Sequence, residues 1–502
     1  MKKVLRRSPE PLKELAVKAL RAMVDEPKKP RPKPPTPLEM SPELIGETYA
    51  PEDVLGMIAL EHHAMELRLE ETIDRLNFVR EQLSELQQKD NPVAEPDRSE
   101  TDSDEPTPSS LAEEYLAGQP EAPVRHLVIA NDYPRVGREY GNGFVHRRVK
   151  HYQSQGVAVD VVLAGYSVEQ DLYEYDGVRV LSGKGAEITE VLQRQRYRSV
   201  SAHFMNELMW NGLQPMIDEI ELHVFLHGYE CSRWVRRLGN YARGIDLERA
   251  VDRTIGLRRF WRMVVEHESA PASYIFVSDW WRRAVADDMG VLFPEPKTHV
   301  VHNFIDTDLF RYVPKDDAQR FRLLWVRSAA QRNYGNDLAI ETLLKLSEQP
   351  EWSKCEATII GDGQFFPEFE EKLGHLPNVR IEQRFASQDE IADLHKKHGI
   401  FLVPSRLDTQ GVSRDEAMAS GLVVTTNLVA AIPEFVDENT GIVAKAEDSA
   451  SLAEGIMNLW RNPDEFQRLS RAASARTKAQ CGRAATIERE MRILGLIDEE
   501  GH

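Results

Sequence analysis

The sequence predicts an α/β protein built from two doubly wound domains in series, preceded by a helical coiled coil. Three observations carry this. Beyond residue 125, short β-rich runs alternate with amphipathic helical runs, the pattern of parallel strands covered by helices. The alternation occurs twice, and a cleft between two such domains is the natural ligand site. Before residue 125 the chain changes character, and apolar residues there recur at coiled-coil spacing. With 502 residues, 41% of them hydrophobic and 29% charged, the chain is long enough for two cores plus polar extensions.

Residues 1–50 read as a basic, Pro-rich tail, with Lys2, Lys3, Arg6, Arg7, Lys13 and Lys18 ahead of a proline run at 30–37. Within it Leu12, Leu15, Ala16, Ala19, Leu20 and Met23 share one helical face. A short basic amphipathic helix of this kind suits peripheral contact with an anionic membrane through residues 1–35, or docking on its own protein. Residues 51–89 follow. Leu55, Ile58, His62, Met65, Leu69, Thr72, Leu76, Val79, Leu83 and Leu86 step by alternating three and four, the seam of a coiled coil that would make a homo-oligomer. A single helix packed on the body is the alternative. Residues 90–125 hold Asp90, Glu95, Asp97, Glu100, Asp102, Asp104 and Glu105 among Pro and Ser, and are expected to be a disordered acidic linker.

The first domain is expected over 126–305, with strand-like runs HLVIA, VDVVLAG, SVSAHFM, HVFLHG and YIFVS. The second is expected over 306–480, with FRLLWV, EATIIGDG, NVRIEQ, GIFLVPS and LVVTTN, and residues 481–502 form a C-terminal helix and tail. A net charge of −19 argues against nucleic-acid binding by phosphate neutralisation. Cys231, Cys355 and Cys481 are too few and too scattered for a disulfide framework or a Cys-x-x-Cys metal site, which suits a reducing compartment. No run approaches about 18 apolar residues and no secretory signal is visible, so the expected location is cytoplasmic, at most peripheral at the inner face of the membrane.

The segment VPSRLDTQGVSRDEAMASGLVVTTNLVAAIPEFV, residues 403–436, carries the most chemistry. A strand runs into a loop with Asp408 and Gly411, then into a helix starting near Val412 and Ser413 and holding Glu416. Free N–H groups at a helix start favour an anion, and glycine lets a phosphate come close. The two carboxylates flank that place, suited to sugar hydroxyls on one side and ribose hydroxyls on the other.

This stretch resembles the nucleotide-sugar signature of family 4 retaining glycosyltransferases, which have the GT-B fold: Glu, seven residues, Glu, within PS…EGFG…EAMA.G.PVV.T. Glu416, Ala417, Met418, Ala419 and Gly421 fall in place, with Asp408 where the first Glu belongs. HNFIDTDLF (302–310) resembles the family's interdomain linker. RLLWVRSAAQRNYGNDLAIETLLKL (322–346) resembles the strand–loop–helix whose Arg and Lys neutralise the donor diphosphate. Arg327 matches that Arg, Tyr334 stands at the Lys, and Arg332 is the candidate replacement. In ANDYPRVGREYGNGFVHRRVKHYQSQG (130–156), Gly141 and Gly143 match the opening glycine loop near the donor phosphates or the acceptor. HVFLHGYE nominates His227 to face the donor sugar. His203, Trp280, Trp281 and Trp325 are expected to be structural, and Arg414 to lie on a solvated helix face.

The resemblance implies a glycosyltransferase that moves a sugar from a UDP- or GDP-sugar donor to a glycan, glycolipid or protein acceptor. His227, Asp408, Arg327 and Arg332 would serve the reaction, while Gly141, Gly143, Gly411, Val412, Ser413 and Glu416 would hold the nucleotide sugar. No metal is expected to be needed, since arginines and backbone dipoles can neutralise the leaving group, and Asp102-x-Asp104 lies in the acidic stretch. Two alternatives stay open: a degenerate scaffold acting through its coiled coil, and a nucleotide-sugar epimerase of the same fold.

Overall fold

In the computed structural model, residues 110–119, 125–138, 141–240 and 244–498 are described. The basic tail at 1–50, the coiled coil at 51–89 and most of the acidic stretch lie outside them. The described residues all fall within one compact unit, Val93–His502.

The first domain is an eight-stranded sheet: β1 (Arg125–Ala130), β2 (Ala158–Ala164), β3 (Asp171–Tyr175), β4 (Val178–Gly183), β5 (Ser199–His203), β6 (Leu222–Leu226), β7 (Ser273–Phe276) and β8 (Thr298–Val300). Its order is β3-β4-β2-β1-β5-β6-β7-β8. Every neighbouring pair is parallel except β3 with β4. The second domain is a six-stranded sheet of β9 (Arg322–Val326), β10 (Glu356–Gly361), β11 (Val379–Gln383), β12 (Ile400–Leu402), β13 (Val423–Asn427) and β14 (Gly441–Ala444). Its order is β11-β10-β9-β12-β13-β14, parallel throughout.

Side-chain alternation explains the continuous apolar runs. Leu127 and Ile129 of β1 join the core on one face of the first sheet, while Val128 and Ala130 join the core on the other. In β9, Leu323 and Trp325 divide from Leu324 and Val326 in the same way. Trp281 and Trp325 are core residues, as expected. The hairpin β3–β4 was not foreseen, although its turn carries the Asp-Gly pair that favours such turns: Asp176 and Gly177 have φ of 47° and 73°.

One further departure has a plain physical reason. Within the stretch expected to be a linker, Leu111–Ala117 is a helix: Ser110 caps it by accepting from the Glu113 N–H, and Tyr115 is fully buried. The Val161 N–H donates to the Tyr115 hydroxyl at 2.7 Å, which ties this helix to β2. At the other end, the helix Ile487–Ile493 returns to the first domain and packs Ile487 and Met491 against Val128, Val149 and Tyr152. Its Glu490 takes the buried Arg148 guanidinium at 3.0 and 3.1 Å and accepts from the Tyr152 hydroxyl.

Candidate functional site

Loops at the carboxyl ends of the strands in both sheets meet in one cleft. The segment after β12 is pressed against the first domain: the Thr409 hydroxyl donates to the His227 carbonyl at 2.8 Å, and the Ser278 hydroxyl donates to the Thr409 carbonyl at 2.7 Å. Next to them the Gln410 side chain accepts from the Asn303 N–H at 2.6 Å. Gly411 has φ 101° and starts the helix Val412–Ala419, which leaves the first-turn N–H groups without intrahelical acceptors. A side chain at Gly411 would meet the Arg414 guanidinium at 2.7 Å.

Glu416 projects from this helix with its side chain 6% exposed, 3.4 Å from Arg147 on the helix Gly143–Ser154 of the first domain. Burial pushes its carboxyl up to about 7, with the Arg147 guanidinium pulling the other way. Arg414, expected in solvent, is instead buried: it pairs with Asp415 at 2.7 Å and lies over the Phe435 ring. Its charge is tolerated there because the counterion is the next residue in the chain.

The nominated cations are already engaged. Arg327 donates to Asp408 at 2.7 Å and to the Ser405 hydroxyl at 2.7 Å, with Tyr334 beneath it at 4.6 Å from the ring centre. The position that holds Lys in the family pattern therefore supports an arginine through its ring face. Arg332 makes a two-pronged ion pair with Glu368, at 2.8 and 2.5 Å, over the Phe365 ring. Asp408 and Arg327 thus come together, whereas Arg332 is held by a separate carboxylate.

In the first domain, Gly141 allows a close approach, since a Cβ there would stand 2.9 Å from the Tyr133 carbonyl. Gly143 opens the helix Gly143–Ser154, and nothing lies within 4 Å of where its Cβ would be. Between them Asn142, with φ 49°, donates to Asn131 at 2.9 Å and to the Asp132 carbonyl at 3.0 Å, which fixes the loop.

His227 immediately follows β6, buried between Phe144 and Phe204. Its Nε2 lies 2.9 Å from Nδ1 of His203, and its own Nδ1 is buried without a protein partner. Burial lowers both imidazoles well below the usual histidine range, so both are neutral near pH 7. Below them, the Glu230 carboxylate accepts from the His227 and Gly228 N–H groups, and burial raises it to about 7. His203 therefore belongs to the site through His227, a role its strand-end position alone did not reveal.

Beside these groups a cavity of about 670 Å³ opens at the ends of β1, β2, β5 and β6, walled by Asn131, Asp132, Phe204, Tyr229 and Arg253 among others. Phe204 has φ 56°, a backbone conformation that a bulky side chain adopts only when its surroundings impose it. It stacks on Tyr229 at 5.3 Å. Arg147, Thr409, Phe204, Tyr229 and Arg253 were not singled out from the sequence, although the segments carrying the first four were; Arg253 lies on the helix Gly244–Glu266, which no motif marked. Among the described residues no group of acidic, histidine and cysteine side chains is placed to hold a metal ion, and no helix is long and apolar enough to cross a membrane.

Residues 320–462 match the family described as Glycosyl transferases group 1. Among curated proteins, the chain is 26% identical over 223 residues to the lipopolysaccharide core biosynthesis mannosyltransferase LpsB of Rhizobium meliloti, covering 41% of this chain and 61% of the relative. It is 27% identical over 213 residues to the D-inositol 3-phosphate glycosyltransferase of Streptomyces scabiei, covering 38% of this chain and 48% of that protein. The chain thus spans about half to three-fifths of these relatives. Among solved structures, sucrose-phosphate synthase from Thermosynechococcus elongatus superimposes with a TM-score of 0.56 at 15% identity, covering 74% of this chain and 98% of that one. Anabaena HepE in complex with UDP and glucose gives 0.55 at 14% identity, with 73% and 98% covered. The two Rossmann-like domains form the GT-B fold of these glycosyltransferase structures, and the second of them carries the group 1 glycosyl transferase segment.

Proposed function

We propose that the protein is a retaining, nucleotide-sugar-dependent glycosyltransferase. The observation that carries the reading is the Gly411–Ser413 helix start with Glu416, held in the cleft against Arg147 and the His227 strand end. Supporting it are the glycosyltransferase names of the relatives, and the UDP and glucose held by HepE in the same fold.

In this reading the donor diphosphate lies at the first-turn N–H groups of the helix Val412–Ala419 and draws Arg327 from Asp408, with Arg332 at the edge. Glu416 accepts from the ribose hydroxyls. Asp408 and His227 hold the hydroxyls of the transferred sugar, and the acceptor enters the first-domain cavity. The bond from the anomeric carbon to the diphosphate oxygen breaks as the bond to the acceptor oxygen forms. The acceptor's hydroxyl proton passes to the departing diphosphate on the same face. Charge that grows on the leaving group is met by fixed dipoles and guanidinium groups, which favour the transition state over the ground state. No metal is needed in this scheme. The acceptor is a glycan, glycolipid or protein, the enzyme works in the cytoplasm, and residues 51–89 and 1–35 supply self-association and membrane contact.

One observation favours the scaffold alternative: Arg327 and Arg332 both hold carboxylates. Release of nucleoside diphosphate across a panel of nucleotide sugars, for wild type beside Glu416→Ala and Arg327→Ala, decides between them. Release with one donor, lost in both variants, is expected. Silence across the panel, with no thermal shift from any nucleotide, would refute the transferase reading, and conversion of the donor sugar without acceptor would favour the epimerase.

A further inference from the structure

We infer that Gln410 is a positioning residue of the donor site: it fixes the loop Asp408–Gly411 by pairing with the backbone of the connection between the two domains. That this loop serves a donor rests on the transferase reading. Gln410 stands at the Phe of the EGFG pattern, so an amide, 1% exposed, is buried where the pattern has an apolar side chain. Burying an amide is costly unless its hydrogen bonds are made, and here they are.

Along the connection from β8 to β9, alternate N–H groups find acceptors in different parts of the molecule. The Val301 N–H donates to the Phe276 carbonyl of β7 at 2.9 Å, and the Ile305 N–H donates to the Cys481 carbonyl, at the end of the helix Pro463–Cys481, at 2.9 Å. Between them, the Asn303 N–H donates to Gln410 Oε1 at 2.6 Å, and the Asn303 carbonyl accepts from Gln410 Nε2 at 3.2 Å. Gln410 thus pairs as a neighbouring strand would, at the point where the chain crosses between domains. An amide offers acceptor and donor side by side; a carboxylate lacks the donor and an apolar side chain lacks both.

The same Nε2 donates to the Asp415 carboxylate at 3.1 Å, and the Arg414 guanidinium, paired with Asp415 at 2.7 Å, donates to the Gln410 carbonyl. Asn303 is held in turn by Arg148 at 3.1 Å, whose charge is met by Glu490. One side chain therefore joins the loop, the connection and the first turn of the helix Val412–Ala419. Asp408 lies two residues before it, the free N–H groups follow Gly411, and Glu416 is next to Asp415. Gly411, with φ 101°, is compatible with many backbone directions, so the fixed aim of those N–H groups comes from its neighbours. Groups held in place in this way stabilise charge without reorganising. Gln410, buried behind them, acts through these groups and not on the ligand.

The test compares the full chain as wild type, as Gln410→Met, which keeps an unbranched side chain and loses both polar atoms, and as Gln410→Glu, which loses only the donor. Hydrogen exchange read by mass spectrometry reports on the loop, and calorimetric titration with UDP and GDP reports on the site. In Gln410→Met, amides over 303–305 and 409–416 should exchange about tenfold faster while β1 and β9 keep their protection, and nucleoside diphosphate should bind about tenfold more weakly. Gln410→Glu puts a second carboxyl beside Asp415, among Arg414 on the same helix, Asp408 in the loop, Cys481 on the helix Pro463–Cys481 and Arg148 behind Asn303. Ionised at pH 8, it should weaken binding about tenfold; protonated at pH 5.5, it donates again, and affinity relative to wild type should recover several-fold. Unchanged exchange in both segments, unchanged affinity in a folded Gln410→Met, or a Gln410→Glu affinity in the same ratio to wild type at both pH values would overturn the positioning role. Exchange that quickens equally across both sheets would also overturn it, as the mark of a merely structural residue. A wild type that binds neither UDP nor GDP, with the local change in exchange intact, would sink the donor reading and leave the tie between Gln410 and Asn303 standing.

Discussion

Asp408→Asn isolates the competition at the centre of the proposed donor site. Arg327 and Asp408 are paired at 2.7 Å with side chains only 8% and 15% exposed, so an arriving diphosphate must take the guanidinium from a carboxylate. A hydrogen bond to a charged partner is worth about 1.5–3 kcal/mol, and one between a guanidinium and a neutral amide oxygen is worth roughly 1 kcal/mol less. Replacing the carboxylate by an amide of the same shape should therefore release about 1–2 kcal/mol toward the incoming phosphates, which is about five- to thirtyfold tighter binding of UDP or GDP. Transfer from the full nucleotide sugar should fall, because the carboxylate assigned to the sugar hydroxyls is gone. Calorimetric titration with the nucleoside diphosphate reads the first effect, product release reads the second, and urea unfolding shows whether the fold is kept. Unchanged or weaker nucleoside diphosphate binding in a folded Asp408→Asn variant would refute the exchange of partners at Arg327.

Other expectations rest on single groups. Burial raises the Glu416 carboxyl from an ordinary value of 4.5 to about 7. Its contribution to stability is thus complete below its unfolded value and lost as pH rises through 7, by up to about 3 kcal/mol. Glu416→Gln should flatten that fall between pH 4.5 and 7 in urea titrations, and an unchanged slope would rule out the buried, raised carboxyl. Glu490→Ala strands the Arg148 guanidinium, 2% exposed, and should cost about 3–5 kcal/mol, most of it regained in Glu490→Ala/Arg148→Met; equal stability of the single and double variants would contradict the pairing. At His203, Asn can occupy the place of Nδ1, whereas Phe keeps the ring and loses the bond to His227. His203→Asn should retain most of kcat and His203→Phe should lose about tenfold with KM little changed, the scale of one buried hydrogen bond. Equal kcat in the two variants would leave His227 without that support.

The fold was legible where burial is two-sided. FRLLWV and HLVIA read as strands because a parallel strand covered on both faces has no polar alternation to confuse it, and β9 and β1 lie within a residue of those runs. β3 and β14 escaped for the opposite reason: DLYEY is an edge strand with polar residues exposed, and GIVA is four residues long. The helix Leu111–Ala117 was hidden by Glu113 and Glu114, since composition counts acids but not the face they occupy, and Tyr115 on the other face is wholly buried. Arg414 shows the same limit in reverse. Its helix packs against the helix Pro463–Cys481, where the Ser470 and Ser474 hydroxyls donate to the Gly421 and Ala419 carbonyls, so a position that looks solvated is interior.

At the candidate site the sequence identified residue types and left out their partners. Arg327, Arg332 and Glu416 were nominated for their charge, and in the structure each has an oppositely charged partner: Asp408, Glu368 and Arg147. A neutralised site cannot attract a diphosphate by excess charge. It must offer better hydrogen-bond geometry than the carboxylates it displaces, which the free N–H groups after Gly411 supply, being fixed by the helix and costing no reorganisation. The Asp at 408 then has a physical consequence beyond its shorter reach: one oxygen already engages Arg327, so on the proposed reading sugar binding at that carboxylate and phosphate binding at that guanidinium depend on the same event. On the proposed reading, donor recognition is an exchange of ion pairs, with Glu416 leaving Arg147 of the first domain for ribose as Asp408 leaves Arg327, within the second domain, for the sugar.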